Sequence, residues 1–495
     1  ASCTAKCEHS RPLGGYRVRP NGCLYCDLCP NRIPRMSAAA GKAPAFILRL
    51  LDKLGIAAHA VADQPNHIPA QRVQAVLLED ANGMLLTLLG RDRLLDLEQI
   101  CGLTSRAWQP LRRERLQRML DKQQLDCLPG LPALTRAPCL YDQRLLLQPR
   151  LLVESGAPGV LLDITREAFA SMLEHARPAR FGVPLAAIPI NQLPDQDQAQ
   201  ITRAVHYYSH RPNQQRLAAT LELPALSATA EKLCKLRLDP DATIDDTHSV
   251  LESDAALATQ LRHWSAASRY SVEEQARTVE DALVRVLGLD LGIHLALGLA
   301  VGKLLKLPDG QPLHTAAYQQ QMRYAAGACW ALSRSIPRAQ RPESALASLC
   351  GQLHNIGYPL LAHAFPRRFA LLCEHFDANP QVPQIYLEQH LLGLDREQFG
   401  SWLLRHWDMP EELTTAVRFQ HDPDYAGPHA VYANLLCLAL QQMAAQGIGQ
   451  GPATELPQAL FMRLGIDRQT AEQTMAMLFS ENISMPPERG QPAQA

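Results

Sequence analysis

The stretch Ser348-Leu349-Cys350-Gly351-Gln352-Leu353-His354-Asn355-Ile356-Gly357 decides how the second half of this chain is read. It sits in a region where apolar residues recur at helical spacing, and an adjacent His-Asn pair interrupts them just before a glycine. From Leu223 to about Leu478 nearly every segment has that helical period, punctuated by Pro or Gly, and none reads convincingly as a strand. The most apolar stretch, Leu291 to Gly302, contains His294 and is closed by Asp290 and Lys303. A bilayer helix needs about 20 apolar residues, so this shorter run reads as a buried core helix and no membrane segment is expected.

The residues before Leu223 read differently. Ala45–Leu54 is an amphipathic helix, Ala57–Val61 a short strand, and Val73–Leu78 with Met84–Leu89 a β-hairpin turned at Asn82-Gly83, where positive φ is wanted. Asp96–Leu103 and Trp108–Leu120 are expected as helices, Gly130–Leu134 as a loop, and Leu145–Leu152 and Gly159–Leu162 as strands. The fold class is therefore multidomain: an N-terminal mixed α/β domain over 41–180, a Pro-rich linker over 181–222, and an all-α domain over 223–480. Residues 1–40 are expected as a disordered or non-native leader, since Met36 followed by Ser-Ala-Ala-Ala-Gly-Lys resembles a natural start; 481–495 are expected as a disordered tail.

Composition agrees with this division. The 495 residues carry 48 Lys+Arg against 49 Asp+Glu, a net charge of −1 that argues against a strongly basic nucleic-acid binder. Five of the 13 cysteines lie among the first 29 residues, and the others are scattered singly in apolar patterns, as in a reduced, cytoplasmic protein. Cys23, Cys26 and Cys29 form a weak candidate zinc site, because they lack a second, well-separated two-ligand knuckle. The basic run Arg112-Arg113-Glu114-Arg115, near Trp108 and Arg118, reads as a solvated helical face more readily than as a phosphate contact. No GxxxxGK[ST], HExxH or GxSxG motif occurs.

The second half resembles an HDOD domain, a helical family related to HD-superfamily phosphohydrolases. The resemblance is carried by Leu223-Pro224-Ala225-Leu226, Asp239–Ile244, Leu251–Leu257, Ala282–Gly288, the Ser348–Gly357 stretch, and the series Glu388, Gly393, Gly400, Leu404, Trp407, Pro410 and His421. An HD phosphohydrolase gathers divalent metals with a first-helix His, a His-Asp pair and a later Asp. The resemblance places Gln321, His354-Asn355 and Asn434 at those positions. Two carboxylates are thus replaced by amides; at an effective dielectric near 20, each lost charge at about 4 Å is worth roughly 4 kcal/mol toward a cation. His354 is then expected to be a core histidine bonded to Asn434 or to a backbone carbonyl, with no metal and no cofactor. The family implies a regulatory role exerted on a protein partner.

The first half resembles the YbaK/prolyl-tRNA-synthetase-associated domain, whose active members hydrolyse mischarged aminoacyl-tRNA. The carriers are Arg72–Leu78, Asp92–Leu97, Leu128-Pro129-Gly130-Leu131-Pro132 and Gly159–Asp163. Active members hold a lysine at the start of the first hairpin strand. Here that position is Gln74, which brings no charge to a phosphate or oxyanion, a loss worth about 10²–10³ in rate by analogy with oxyanion donors. The loop at Gly130 and Pro132 could still offer backbone N–H groups. The resemblance therefore implies a module that recognises a tRNA or an amino-acid-derived ligand. The alternative is an aminoacyl-tRNA editing deacylase with an HDOD appendage.

Overall fold

The computed structural model describes residues 42–64, 66–191, 193–209, 217–265, 278–308, 315–449 and 453–480. The expected leader with Cys23, Cys26 and Cys29 and the expected tail lie outside the described residues.

The N-terminal half is built on a mixed sheet. Its strands are β1 (Ala58–Ala62), β2 (Arg72–Asp80), β3 (Gly83–Gly90), β5 (Gln109–Pro110), β6 (Cys139–Asp142), β7 (Arg150–Glu154), β8 (Val160–Thr165) and β9 (Arg177–Ala179). Their order is β1-β8-β7-β2-β3-β6-β9, with β5 also paired to β2. A separate two-stranded ladder joins β4 (Arg93–Leu95) to β10 (Gly182–Pro184). The hairpin closes with Asp80 opposite Gly83. Only Gly83 takes the positive φ, 147°; Asn82 does not, because the Asp80 carboxylate accepts its backbone N–H (2.8 Å) and holds the turn by another means.

Alternation along β2 divides the packing. One sheet face sends Val73, Leu77, Leu86, Leu88 and Val153 against helices α1 (Ala45–Lys53), α3 (Arg113–Gln123) and α5 (Arg166–Met172). The other face sends Val76, Leu78, Leu85 and Leu89 against α2 (Leu97–Thr104), Trp108 and Phe181, and reaches Ala378 of the helical half. Three local expectations are corrected. Trp108–Leu111 is extended rather than helical, because Leu111 N–H donates to Leu77 O beside β5 (2.9 Å). Gln143–Leu147 is a 3₁₀ turn capped by Asp142 rather than a strand. The Gly130 loop contains a one-turn helix, α4 (Pro132–Thr135).

From Ala228 onward the described residues contain helices and turns but no strand. The helix Leu289–Gly302 is buried along most of its length. The helix Ser344–Leu353 lies at the centre and packs on Leu289–Gly302, Thr315–Ser335, Glu411–Arg418 and Ala430–Ala445. Gly351 permits the close approach of Thr315–Ser335, since a Cβ there would lie 2.3 Å from the Ala325 carbonyl oxygen. Among the described residues no helix is long and apolar enough to cross a membrane.

Of the stretch 181–222, expected as a linker, Phe181 packs with the sheet half and the described residues from Ile188 onward pack against the helical core. They supply Ile188, Ile201, Ala204, Val205 and Leu221 to that core. Ile201 and Val205 are four residues apart on α6 (Pro194–Tyr208), so one helical face buries both. Its first turn is anchored by Asp197, which accepts from Arg418 Nε (2.7 Å), Gln398 Nε2 (2.9 Å) and Asn191 Nδ2 (3.0 Å).

Candidate functional site

The helical half holds the first candidate centre. His354 follows the central helix and is 1% exposed. Its Nδ1–H donates to the Gly351 carbonyl oxygen (2.7 Å), so of the two partners expected the backbone carbonyl is the one present. Nε2 is buried without a partner. Burial pushes the imidazole pKa down to about 3, and the nearby His421 and Arg396 act in the same direction, so His354 is neutral at physiological pH.

Asn355 Oδ1 accepts from Arg396 Nε (3.3 Å), and Asn355 O accepts from the Tyr318 hydroxyl (3.3 Å). Arg396 Nη1 in turn donates to Glu388 (2.6 Å), both side chains being buried. Burial opposes the Arg396 charge, but Glu388, Tyr358 and Glu397 outweigh it and keep the guanidinium cationic. Glu397 meets His421 Nδ1 at 2.6 Å. Burial would raise that carboxyl, yet His421 and Arg396 hold it below its usual range. Asn434 Nδ2 donates to Tyr425 O (3.2 Å), its Oδ1 has no partner, and Gln321 is buried on the helix Thr315–Ser335.

A divalent metal does not fit this donor set. Among the described residues no three His, Cys, Asp or Glu side chains are grouped to hold one. Asn355 also faces a guanidinium, which would neutralise any carboxylate placed there. The residue that sequence reasoning missed is Arg396. Its signal was Glu388: a glutamate in so apolar a setting requires a buried cation.

The second candidate centre is in the sheet. Gln74 pairs with Leu89 and shares the face of Val76 and Leu78. Gly130 packs on the opposite face, where an added Cβ would meet Val153 (3.0 Å), Val73 (3.4 Å) and Leu88 (3.7 Å). The two positions are therefore not brought to one face. Pro132 opens α4 beside Gly130.

Arg72, on the Gln74 face by alternation, donates to Asp63 (2.7 Å), while Arg91 donates to Glu154 (2.7 Å). Burial raises the Glu154 carboxyl, though Arg91 and Arg72 pull against it. Cys127, 4.0 Å from Glu154, is pushed up to about 12 by burial and carries no thiolate for attack. The charges of this cluster are paired with one another, while Arg72 Nε and Arg91 Nε are buried without a partner. On the expected basic face of α3, Arg115 is ion-paired and Arg118 Nε donates to the Glu114 carbonyl oxygen (3.1 Å). This face borders a cleft of about 660 Å³ in which Arg115 binds Glu79; Asp80, also in its wall, is bound by Arg106, which stacks 4.1 Å over Trp108.

The two halves meet at Asp96. Its carboxylate caps α2 through Gln99 N–H (3.1 Å) and accepts from His390 Nε2–H (3.0 Å). His375 Nε2 accepts the Leu97 N–H (3.2 Å), and Asn379 exchanges two bonds with Leu95 (2.6 and 3.0 Å). Burial alone would raise the Asp96 carboxyl. The donors aimed at it, His390 Nε2–H and the Gln99 N–H, hold it well below the carboxylate range.

A mixed α/β domain followed by an all-helical domain is the class this architecture defines. A family model for the HDOD domain matches residues 223–423, and one for an aminoacyl-tRNA editing domain matches 56–171. The chain is 34% identical to a Marinobacter aquaeolei protein described as a candidate signal transduction protein. The match covers 89% of this chain and 97% of that one, with a TM-score of 0.82. An HDOD protein of unknown function from Geobacter sulfurreducens is 18% identical, with a TM-score of 0.47 over 57% of this chain and 94% of that one. An uncharacterized protein of Treponema pallidum is 23% identical over 276 residues, 53% of this chain, which spans about half (52%) of that relative's length. The chain belongs to the HDOD family, in the form that carries an aminoacyl-tRNA editing domain ahead of the helical one.

Proposed function

We propose that this is a cytoplasmic regulatory protein rather than an enzyme: the editing-type domain recognises a tRNA or an amino-acid-derived ligand, and the metal-free HDOD domain relays that event to a protein partner. The observation that carries the reading is the polar junction of Asp96 with His390 and of the Leu97 N–H with His375, which ties α2 of one domain to helices of the other. Both inherited centres have their charges paired internally, so binding survives better than turnover in this arrangement. The eight described cysteines are free thiols, in keeping with a reducing compartment. The description of the Marinobacter relative supports a signalling role.

The test is hydrogen exchange on the full chain with and without mischarged aminoacyl-tRNA. Binding is expected to change protection in the helix Pro366–Ala378, which carries His375, without deacylation above background. Efficient turnover by the natural protein, or binding confined to the sheet domain, would remove the relay.

A further inference from the structure

A second cleft, of about 620 Å³, lies on the sheet domain away from Gln74, between α1, the end of α3 and α4. Its lining includes Phe46, Arg49, Lys53, Leu134, Thr135 and Arg136, and contains no carboxylate. The cleft beside α3, by contrast, has Glu79, Asp80 and Glu114 in its wall, and Glu79 binds Arg115 there. Arg49, Lys53 and Arg136 are all exposed and have no ion-pair partner among the described residues. Arg49 and Lys53 are four residues apart on α1, a like-charge spacing that weakens a helix. Arg136, which ends α4, is held in the left-handed region at φ 52°, a conformation that non-glycine residues adopt only under local constraint.

We infer that this cleft binds a nucleotide, with its phosphate on Arg49, Lys53 and Arg136 and its base against Phe46 and Leu134. Three cations around one concave surface focus a positive field, and arginine's planar fork suits phosphate oxygens. The cleft has the volume of an ordinary small-ligand site. Half-buried Phe46 and Leu134 supply an apolar surface for a flat ring, which an acidic peptide would leave unused. The nucleotide is either free or the exposed end of an RNA strand. The site does not depend on communication between the domains.

The test uses the full chain and three probes: adenosine monophosphate, a fluorescent single-stranded RNA decamer, and inorganic phosphate. The variants are Arg49→Ala with Arg136→Ala, Phe46→Ala, and Arg115→Ala as a control in the charge-paired cleft, with thermal melts to verify folding. The double variant is expected to weaken binding at least tenfold and to flatten its salt dependence. Phe46→Ala should weaken binding while leaving the salt slope in place, and Arg115→Ala should change neither. Adenosine monophosphate displacing the RNA supports a nucleotide-sized site open to both sources. RNA binding that the mononucleotide does not displace supports a strand end. The inference is overturned if neither probe binds, if the double variant binds as the natural chain does, or if inorganic phosphate competes as well as the nucleotide.

Discussion

His390 of the helical half donates its Nε2–H to the Asp96 carboxylate of the sheet half across 3.0 Å, and the same carboxylate caps α2. One side chain therefore stabilises a helix terminus and an interdomain contact together. Asp96→Ala should lose the cap, about 1 kcal/mol, and strand buried donors at about 1–3 kcal/mol, for a total of about 2–4 kcal/mol. Urea unfolding should also separate into two transitions as the domains uncouple. A change below about 0.5 kcal/mol, the scale of an ordinary surface substitution, would mean that the contact is open in solution. Because the folded-state carboxyl is held low, its stabilisation is present above the ordinary carboxylate range and is lost as pH falls through and below that range.

The helical fold was legible because its evidence is local and repeated: apolar periodicity and the Ser348–Gly357 stretch are each read within a few turns. The sheet face of Gln74 was less accessible. Strand alternation relates it to its neighbours, but the position of the Gly130 loop depends on how α4 crosses the sheet. The packing of α6 was hidden by its polar opening, Asp195-Gln196-Asp197-Gln198, which reads as solvated until Arg418, more than two hundred positions later, is brought against Asp197. Buried ion pairs between distant segments leave little local signature.

That pair gives a second expectation. Arg418 binds Asp197 through two N–H groups (2.7 and 3.0 Å), with the side chains 6% and 3% exposed. Removing one partner leaves the other charge buried, so Asp197→Ala or Arg418→Ala should each cost about 3–5 kcal/mol in denaturant unfolding. Replacing both together should cost less than the sum of the two. Additive losses would show that the charges do not interact.

Gln74→Lys isolates the catalytic question. A lysine there restores the charge that active editing domains hold, but on the face opposite Gly130. Deacylation of mischarged tRNA should therefore rise by less than about tenfold, short of the 10²–10³ that a well-placed oxyanion donor supplies. A full recovery would mean that lysine and loop act at one centre after all.

Asn355→Asp addresses the metal. Arg396 Nε lies 3.3 Å from Asn355 Oδ1, so a new carboxylate should pair with the guanidinium rather than with a divalent ion. Elemental analysis after dialysis against manganese should find no stoichiometric metal in this variant or in the natural chain. Two manganese ions beside His354 in a crystal would contradict the arrangement described above.

His354 provides a pH signature of its own. Its folded-state pKa lies at about 3, pushed down by burial, whereas an unfolded histidine titrates near 6.5. Between those values the unfolded chain binds a proton that the folded chain refuses, so stability rises with pH across that window. Acidification from about pH 6.5 to 4 should accordingly weaken the fold, with a limiting slope of about 1.4 kcal/mol per pH unit from this residue. His354→Gln keeps an N–H for the Gly351 carbonyl but does not titrate, so its stability should fall less steeply over the same range. The difference between the two slopes isolates His354 from the carboxylates, which contribute to both proteins. Equal slopes would require that the folded imidazole accepts its proton normally, and hence that water or an anion reaches Nε2.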